Sequence, residues 1–354
     1  MGPLECDHLV VGAGSTGLAV ADQLLRREMG SVIVIDSLES PQARTGECRA
    51  ALLYPDVDDF ENCAKRGYEL YEGWSNWLEV DPEFRRSGAL FVVDSAEESS
   101  EKSHEILNPE EMKRRWSALG DRSVYARFDP RCGTVDGQSV HGALMWRMRH
   151  GGGRFHGGSS LSLLDESESG VHFMTSRREG VAGKVYLCQG PEAVSLMASL
   201  GSRHRQEVET VSEFTLNLEG DFPPVIDWGE EGATLFATEA GTTELHFAGP
   251  SGEAGPGGHL ATPAVDWDHL SRFRSQWSDW IPGLNEAVIL KARARHRRAW
   301  NESSHEIASS SGGRIVMPGC AGQFQELLFP ALAEYLIEQI FTGQTGGLLE
   351  DLED

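Results

Sequence analysis

Three glycines and one acidic residue near the start of the chain have the types and the spacing that bind a dinucleotide. The stretch VVGAGSTGLAV places Gly12, Gly14 and Gly17 in a G-x-G-x-x-G pattern, and Asp36 follows. Gly12 permits a tight turn, Gly14 lets a pyrophosphate approach the backbone, and Gly17 lets a helix pack closely on a strand. An acid about 20 residues beyond the glycines binds ribose hydroxyls. The spacing alone does not distinguish NAD from FAD.

The residues around the glycines predict the β-α-β unit that such a site needs. The apolar run within residues 7–11 predicts a buried parallel strand, and the apolar spacing after Gly17 predicts a helix that Gly30 ends. Residues 31–35 predict a second buried strand, closed by Asp36. The helix N-terminus would offer unpaired N–H groups and a positive dipole end to phosphates. The alternative is a structural unit whose glycines serve only packing.

Composition excludes several other classes of protein. A net charge of −24 disfavours nucleic acid as a partner, because its phosphates would be repelled. No stretch approaches the roughly 20 apolar residues of a membrane span, and the first residues lack the pattern of a secretory signal. The six cysteines form no C-x-x-C pair and the histidines show no ligand spacing, so we expect neither disulfides nor a metal site. A cytoplasmic protein is expected.

Four separated stretches resemble the FAD-dependent D-amino-acid oxidase superfamily, especially its glycine oxidase and monomeric sarcosine oxidase branch. They are the opening unit, SPQARTGECRAALLYP (40–55), the stretch 133–201, and GGRIVMPGCAGQFQELLFPALAEYLIEQIFTG (312–343). They occur in the family's order, with a second nucleotide-contacting strand and a closing strand, glycine loop and last helix that points at the flavin. The resemblance implies an α/β fold, with a Rossmann-like FAD-binding domain and a mixed or antiparallel-sheet substrate domain.

The resemblance also implies a discontinuous domain organisation. The FAD-binding domain is expected from residues 1–80, 130–210 and 290–354, and the substrate domain from residues 81–129 and 211–289. Strand-like patterns agree with the second domain; they lie at 88–94, 213–219, 234–239 and 244–249. The glycine- and proline-rich segment 251–263 predicts a loop or lid.

The chemistry implied by the family is the oxidation of an amine or amino acid. A hydride passes from the carbon next to nitrogen to flavin N5, an imine forms, and oxygen or another acceptor reoxidises the flavin. The oligomeric state stays open. The residues expected to bind FAD lie in the first turn, the flavin-side loop, the second strand and the last glycine loop: Gly12, Gly14, Ser15, Thr16, Gly17, Asp36, Ser37, Thr45, Gly46, Cys48, Arg49, Gly190, Gly319, Gly322, Gln323 and Phe324.

Departures from the family pattern shape the expected active site. The segment 293–302 lacks the cysteine that attaches flavin in sarcosine oxidases, so we expect non-covalent FAD, with Cys48 and Cys320 as small buried residues. Arg49 matches the family's flavin-side arginine. Glu244 falls near the lysine that speeds reaction with oxygen, and we therefore expect slow reoxidation. Leu52 and Glu326 fall where the family holds a substrate carboxylate. Arg49, Glu244 and Glu326 are the predicted catalytic residues.

Two substrate classes follow from these departures, beside a non-enzymatic alternative. If Glu47, Glu244 and Glu326 all face the pocket, their charges favour a cationic amine without a carboxylate. A sarcosine or glycine oxidase in the strict sense would instead hold a carboxylate with Arg295, Arg297 or Arg298. The altered loop GCAGQFQ leaves room for a third reading, a flavoprotein subunit with structural FAD.

Overall fold

The computed structural model describes residues 2–40, 49–55, 60–93, 105–202, 206–237, 241–253, 260–299 and 306–342. Its strands, in chain order, are β1 (Leu4–Val11), β2 (Val32–Ile35), β3 (Arg49–Leu52), β4 (Ala89–Val93), β5 (Glu105–Leu107), β6 (Tyr125–Asp129), β7 (Gly133–Asp136), β8 (Arg154–His156), β9 (Leu161–Ser167), β10 (Gly170–Thr175), β11 (Glu179–Leu187), β12 (Glu207–Asn217), β13 (Val225–Trp228), β14 (Ala233–Ala237), β15 (Thr243–Glu253), β16 (Val288–Arg298), β17 (Ala308–Ser309) and β18 (Ile315–Met317). Its helices are α1 (Ser15–Arg26), α2 (Glu61–Glu72), α3 (Trp74–Trp77), α4 (Pro109–Arg115), α5 (Gly137–His150), α6 (Pro191–Ser199), α7 (Trp267–Trp277) and α8 (Gln325–Thr342).

The first sheet contains the predicted opening unit. Its strand order is β17-β18-β11-β1-β2-β8, with the hairpin β9–β10 added beside β11. β1 pairs in parallel with both β2 and β11, and Val11 lies opposite Ile35 and Leu187 in the two registers. The carboxyl ends of these strands therefore meet at one edge of the sheet. Because helices cover the sheet, β2 is buried along its whole length, as a continuous apolar run predicts.

The C-terminal part of the chain returns to this sheet. β18 pairs in parallel with β11, as the predicted closing strand requires, and α8 packs against α1 and α2. Tyr68 and Trp77 lie on two successive helices, because Gly73 separates α2 from α3. Both aromatic side chains are buried in the core that the helices share. None of the helices within the described residues is long and apolar enough to cross a membrane.

The second sheet has the order β16-β12-β15-β14-β13-β4-β6-β5 and is antiparallel except where β13 meets β4. One face packs on α7 through an aromatic core that includes Trp228, Phe247 and Phe273. The other face carries polar residues, because successive side chains of a strand point to opposite sides. Five of them lie opposite one another across neighbouring strands and are called the polar row: Arg293, Glu213, His246, Thr234 and Asp227.

The predicted strands at 88–94, 213–219, 234–239 and 244–249 correspond to β4, β12, β14 and β15. Part of the predicted loop at 251–263 lies outside the described residues, and its first residues extend β15. The division into two domains stays a prediction. Sheet membership supports a longer second domain than expected, because β12 begins at Glu207 and β16 ends at Arg298 within the second sheet.

Candidate functional site

A cavity of about 710 Å³ lies between the carboxyl edge of the first sheet and the polar face of the second. One wall consists of the turn after β1, Asp36 and the segment after β11. The opposite wall consists of residues of β12, β14, β15 and β16, and the loop before α8 closes one side. The predicted binding residues brought together in this lining are Gly12, Gly14, Ser15, Thr16, Asp36, Gly190, Gly319, Gly322 and Gln323.

The three glycines of the first turn have different physical roles. Gly12 has a φ of +101°, and a Cβ there would lie 2.8 Å from the backbone of Cys188. A Cβ on Gly17 would lie 1.9 Å from the carbonyl oxygen of Gly12, so only glycine lets α1 pack at this distance. A Cβ on Gly14 would meet no described atom within 4 Å, because it would point into the open cavity. The open space beside Gly14 fits a closely approaching pyrophosphate.

The turn is held in place by side chains from two other elements. Asp36 accepts hydrogen bonds from the backbone N–H groups of Ala13 (2.9 Å) and Leu38 (2.8 Å). His141 of α5 lies 2.8 Å from the carbonyl oxygen of Ala13 through Nε2. Burial lowers the pKa of His141, so the neutral ring donates from Nε2. His141 was not among the predicted site residues, since a lone histidine in a helix gives no signal of such a contact.

The start of α1 is free to bind an anion. Among the described residues, no side chain caps this helix, and its first turn contains no acidic residue. Its first N–H groups therefore face the cavity with the positive end of the helix dipole behind them. Gln325 connects this end to the last glycine loop: its Nε2 donates to Thr16 Oγ1 (3.1 Å), and its Oε1 accepts from the N–H of Ala321 (2.8 Å). The cavity thus fits a dinucleotide such as FAD.

Several predicted binding residues lie elsewhere. Gly17 is buried at the helix–strand contact, Ser37 is exposed, and neither lines the cavity. Phe324 packs against the core on the far side of its loop. Thr45, Gly46 and Cys48, together with Glu47, lie outside the described residues. The backbone of Arg49 pairs with Asp136 in the ladder between β3 and β7, and its side chain lies outside the described part.

Glu326 lines the cavity, as expected. Burial raises the pKa of its carboxyl group, and the nearby charge of Arg295 opposes that rise only in part. Leu52, at the other predicted carboxylate position, is fully buried in the core.

Glu244 does not join Glu326 at the cavity, and this corrects the expected position of its side chain. It is 3% exposed, its Oε1 accepts a 2.7 Å hydrogen bond from Thr215, and it is absent from the described lining. The residue of β15 that does line the cavity is His246, whose Nε2 lies 3.8 Å from Glu244 Oε2. Residues 244 and 246 share one face of the strand, but the cavity reaches only the second of them.

Arginines of β16 dominate the charge of the second wall. Glu213, 2% exposed, accepts hydrogen bonds from both Arg293 and Arg295. Burial opposes ionisation of this carboxyl group, but its interactions with Arg295, His246 and Arg293 outweigh burial and hold its pKa at about 2. Two guanidinium groups thus share one carboxylate. Arg297 has its own partner, Glu209, at 2.7 Å.

Arg298 is the most buried of these arginines and lacks a carboxylate partner among the described residues. It is 7% exposed, donates from Nη1 to the carbonyl oxygen of Pro318 (2.9 Å) and from Nε to Gln206. Its Nη2 is buried with no hydrogen-bond partner in the described structure. The wall therefore has an excess of positive charge, which is the opposite of the acid-lined pocket that the sequence suggested.

Comparison with known proteins agrees with this geometry. A family model described as FAD dependent oxidoreductase matches residues 7–320. The curated protein monomeric sarcosine oxidase of Streptomyces avermitilis is 24% identical over an alignment of 210 residues that covers 55% of this chain. The aligned part spans 54% of that relative's own length.

Solved structures of low sequence identity share the whole fold. Glycine oxidase from Bacillus cereus ATCC 14579 has a TM-score of 0.80 at 14% identity, and the alignment covers 97% of each chain. L-proline dehydrogenase from P. horikoshii has a TM-score of 0.79 at 18% identity, over 99% of this chain and 96% of that one. The expected α/β fold, with its Rossmann-like part, is confirmed.

Proposed function

This chain belongs to the family of FAD-dependent oxidoreductases, and from that premise we propose that it oxidises the C–N bond of an amine that carries a carboxylate. FAD, when bound, would supply the two-electron acceptor for the hydride of the carbon next to nitrogen, and oxygen or another acceptor would reoxidise it. The curated relative and the glycine oxidase structure make N-methylglycine and glycine the first substrates to examine.

The FAD-binding residues proposed are those that line the cavity. The N–H groups at the start of α1 bind the pyrophosphate beside Gly14, and Asp36 faces the ribose end. Gln325 keeps the last glycine loop close to Thr16 and so holds the two ends of the site together. We propose that the flavin is not covalently attached. Burial raises the pKa of the cavity-lining Cys188 to about 12, so its thiol is not a nucleophile at neutral pH.

The substrate proposal rests on Arg298 in the cavity wall, because its buried Nη2 has no hydrogen-bond partner among the residues that the structure describes. A buried guanidinium group without an anionic partner is costly, and a carboxylate that accepts from it restores the missing hydrogen bond and charge balance. Arg295 adds positive charge nearby, since Glu213 is shared between two arginines. Such a wall orients the substrate by its carboxylate and leaves the amine end free to approach the flavin.

The rival substrate class, a cationic amine without a carboxylate, has less support. It needed three ionised glutamates in the pocket. Of these three, only Glu326 lines the cavity: Glu244 lies behind the lining, and Glu47 lies outside the described residues. The structural-flavoprotein alternative predicts that no amine reduces the flavin.

Anaerobic reduction of the flavin by matched pairs of amines tests the proposal. Each pair consists of an amino acid and its decarboxylated counterpart, such as N-methylglycine with dimethylamine and proline with pyrrolidine. We expect bleaching of the flavin absorbance by at least one carboxylate-bearing member and at least about tenfold weaker apparent binding of its partner. Bleaching by the decarboxylated amines alone would support the rival class, and no bleaching by either would support a structural flavin.

A further inference from the structure

His246 is the cavity-lining imidazole whose nitrogens are not both engaged. It lies in the polar row between Glu213 and Thr234, and 21% of its side chain remains exposed. Its Nε2 is buried without a hydrogen-bond partner among the described residues. The ring of Phe236 meets the imidazole edge-on at 4.9 Å between centroids, which restricts its rotation. The other lining histidine, His296, contacts Thr210 through Nδ1 and the carbonyl oxygen of Ala261 through Nε2.

The acids in the same lining are poorly suited to accept a proton. Both oxygens of Asp36 accept backbone hydrogen bonds, and Glu213 is committed to two arginines with a pKa of about 2. Glu192 is exposed at the start of α6, on the wall that faces the dinucleotide. Glu326 remains the other candidate proton acceptor, and the variant Glu326→Gln distinguishes it from His246.

We propose that His246 accepts the proton of the substrate ammonium group before the C–N bond is oxidised, with Glu244 as its positioning residue. This inference rests on the proposed function. The N–H bond breaks, its proton moves to the imidazole, and its electron pair stays on nitrogen. The nitrogen pair then forms the C=N bond as the neighbouring C–H bond gives its hydrogen and both electrons to FAD. The protonated imidazole later releases its proton to solvent.

The charges around His246 fit this role. Glu244 Oε2 is 3.8 Å from Nε2, which is too far for a hydrogen bond but close enough to favour the tautomer protonated at Nε2. That tautomer leaves Nδ1 as the acceptor. Glu213 lies opposite on β12, so two carboxylates flank the imidazole. Arg293 and Arg295 on β16 are the nearby positive charges, and each is paired with Glu213.

The test is the pH dependence of anaerobic flavin reduction by N-methylglycine, followed by stopped-flow absorbance in wild type and in His246→Asn. We expect the variant to lose about 100-fold in the reduction rate near neutral pH and to recover at alkaline pH, where the amine deprotonates in solution. A merely structural role would lower the rate at every pH. His269→Asn is the matched control and should keep the wild-type profile, because His269 of α7 packs on Phe247 outside the cavity lining.

Glu244→Gln is the second variant, and it tests the same role if His246→Asn loses its flavin. Glu244→Gln removes the charge beside the imidazole, so the acidic limb of the rate profile should move to lower pH while FAD content is kept. An unchanged profile in both variants would overturn the assignment, as would loss of the pH dependence in Glu326→Gln alone. If no amine reduces the wild-type flavin, the proposed function fails and this inference fails with it; reduction with an unchanged profile in His246→Asn overturns this inference alone.

Discussion

The hydroxyl group of Tyr71 donates a 2.8 Å hydrogen bond to the main-chain carbonyl oxygen of Glu326. Four residues further along α8 stands Pro330, which has no N–H to offer that carbonyl. Tyr71 of α2 therefore supplies the hydrogen bond that the helix itself lacks. The contact fixes the first turn of α8 at the place where Glu326 enters the cavity lining.

Removal of this hydroxyl group should destabilise the protein through one unsatisfied carbonyl. We expect Tyr71→Phe to lower the free energy of unfolding by about 1–3 kcal/mol, since the buried acceptor loses its donor. In a Pro330→Ala background the cost should be smaller, because residue 330 then provides an N–H. Urea unfolding of the two single variants and the double variant measures the difference, and equal costs in both backgrounds would show that Tyr71 does not serve this carbonyl.

Two glycines of the same motif should respond differently to alanine. Gly17→Ala places a Cβ 1.9 Å from the Gly12 carbonyl oxygen, so the apoprotein should lose about 1–3 kcal/mol or more of stability. Gly14→Ala meets open space and keeps a favourable φ, so apoprotein stability should change by less than about 0.5 kcal/mol while FAD affinity falls at least about tenfold. Thermal unfolding of the apoproteins measures the loss of stability, and titration with FAD measures the loss of affinity. Equal stability losses would contradict the assigned roles.

The sequence predicted the opening unit because its signals are local. Strand, turn, helix and acid all lie within residues 7–36, and the continuous apolar runs left little choice of structure. The cavity's second wall was harder to predict, because it depends on which strands lie side by side. Nothing near Glu213 in the sequence indicates that β16 lies beside it and brings two arginines to its carboxylate.

The misplacement of Glu244 has a similar cause. The resemblance places Glu244 only near the family's lysine on β15. A shift of two residues along the strand keeps the side chain on the same face of the sheet. Only the depth of the cavity distinguishes Glu244 from His246. The sequence likewise gave no indication of three hydrogen bonds, because their partners are remote in the chain; they are made by His141, Tyr71 and Gln325.

Glu213 should make the cavity wall sensitive to acid. Its folded pKa of about 2 lies below the ordinary value for a glutamate, so its stabilisation is fully present above the unfolded pKa and is lost as pH falls toward 2. We expect Glu213→Gln to cost about 3 kcal/mol at neutral pH and to flatten the loss of stability on acidification. Glu209→Gln, which removes the partner of Arg297, is the matched control. Urea unfolding at several pH values would refute the role if both variants behaved alike.

Glu326 should make the stability of the protein depend on pH in the opposite direction. Its raised pKa means that the folded state holds the proton more tightly than the unfolded chain, so stability is lost as pH rises through the folded pKa. Glu326→Gln removes this loss. The melting temperature of the variant should therefore exceed that of wild type near neutral pH, and the two should converge in acid. A variant that is less stable at neutral pH would indicate that Glu326 is ionised and held by Arg295.

Arg298 has no carboxylate partner among the described residues, and one ratio shows whether it selects carboxylate-bearing amines. The ratio compares the second-order rate constants for anaerobic flavin reduction by N-methylglycine and by dimethylamine. In Arg298→Met it should fall at least about tenfold from the wild-type value. In Arg297→Gln, whose guanidinium is already neutralised by Glu209, it should stay close to wild type. An unchanged ratio in a flavin-loaded Arg298→Met protein would show that Arg298 does not bind the substrate carboxylate.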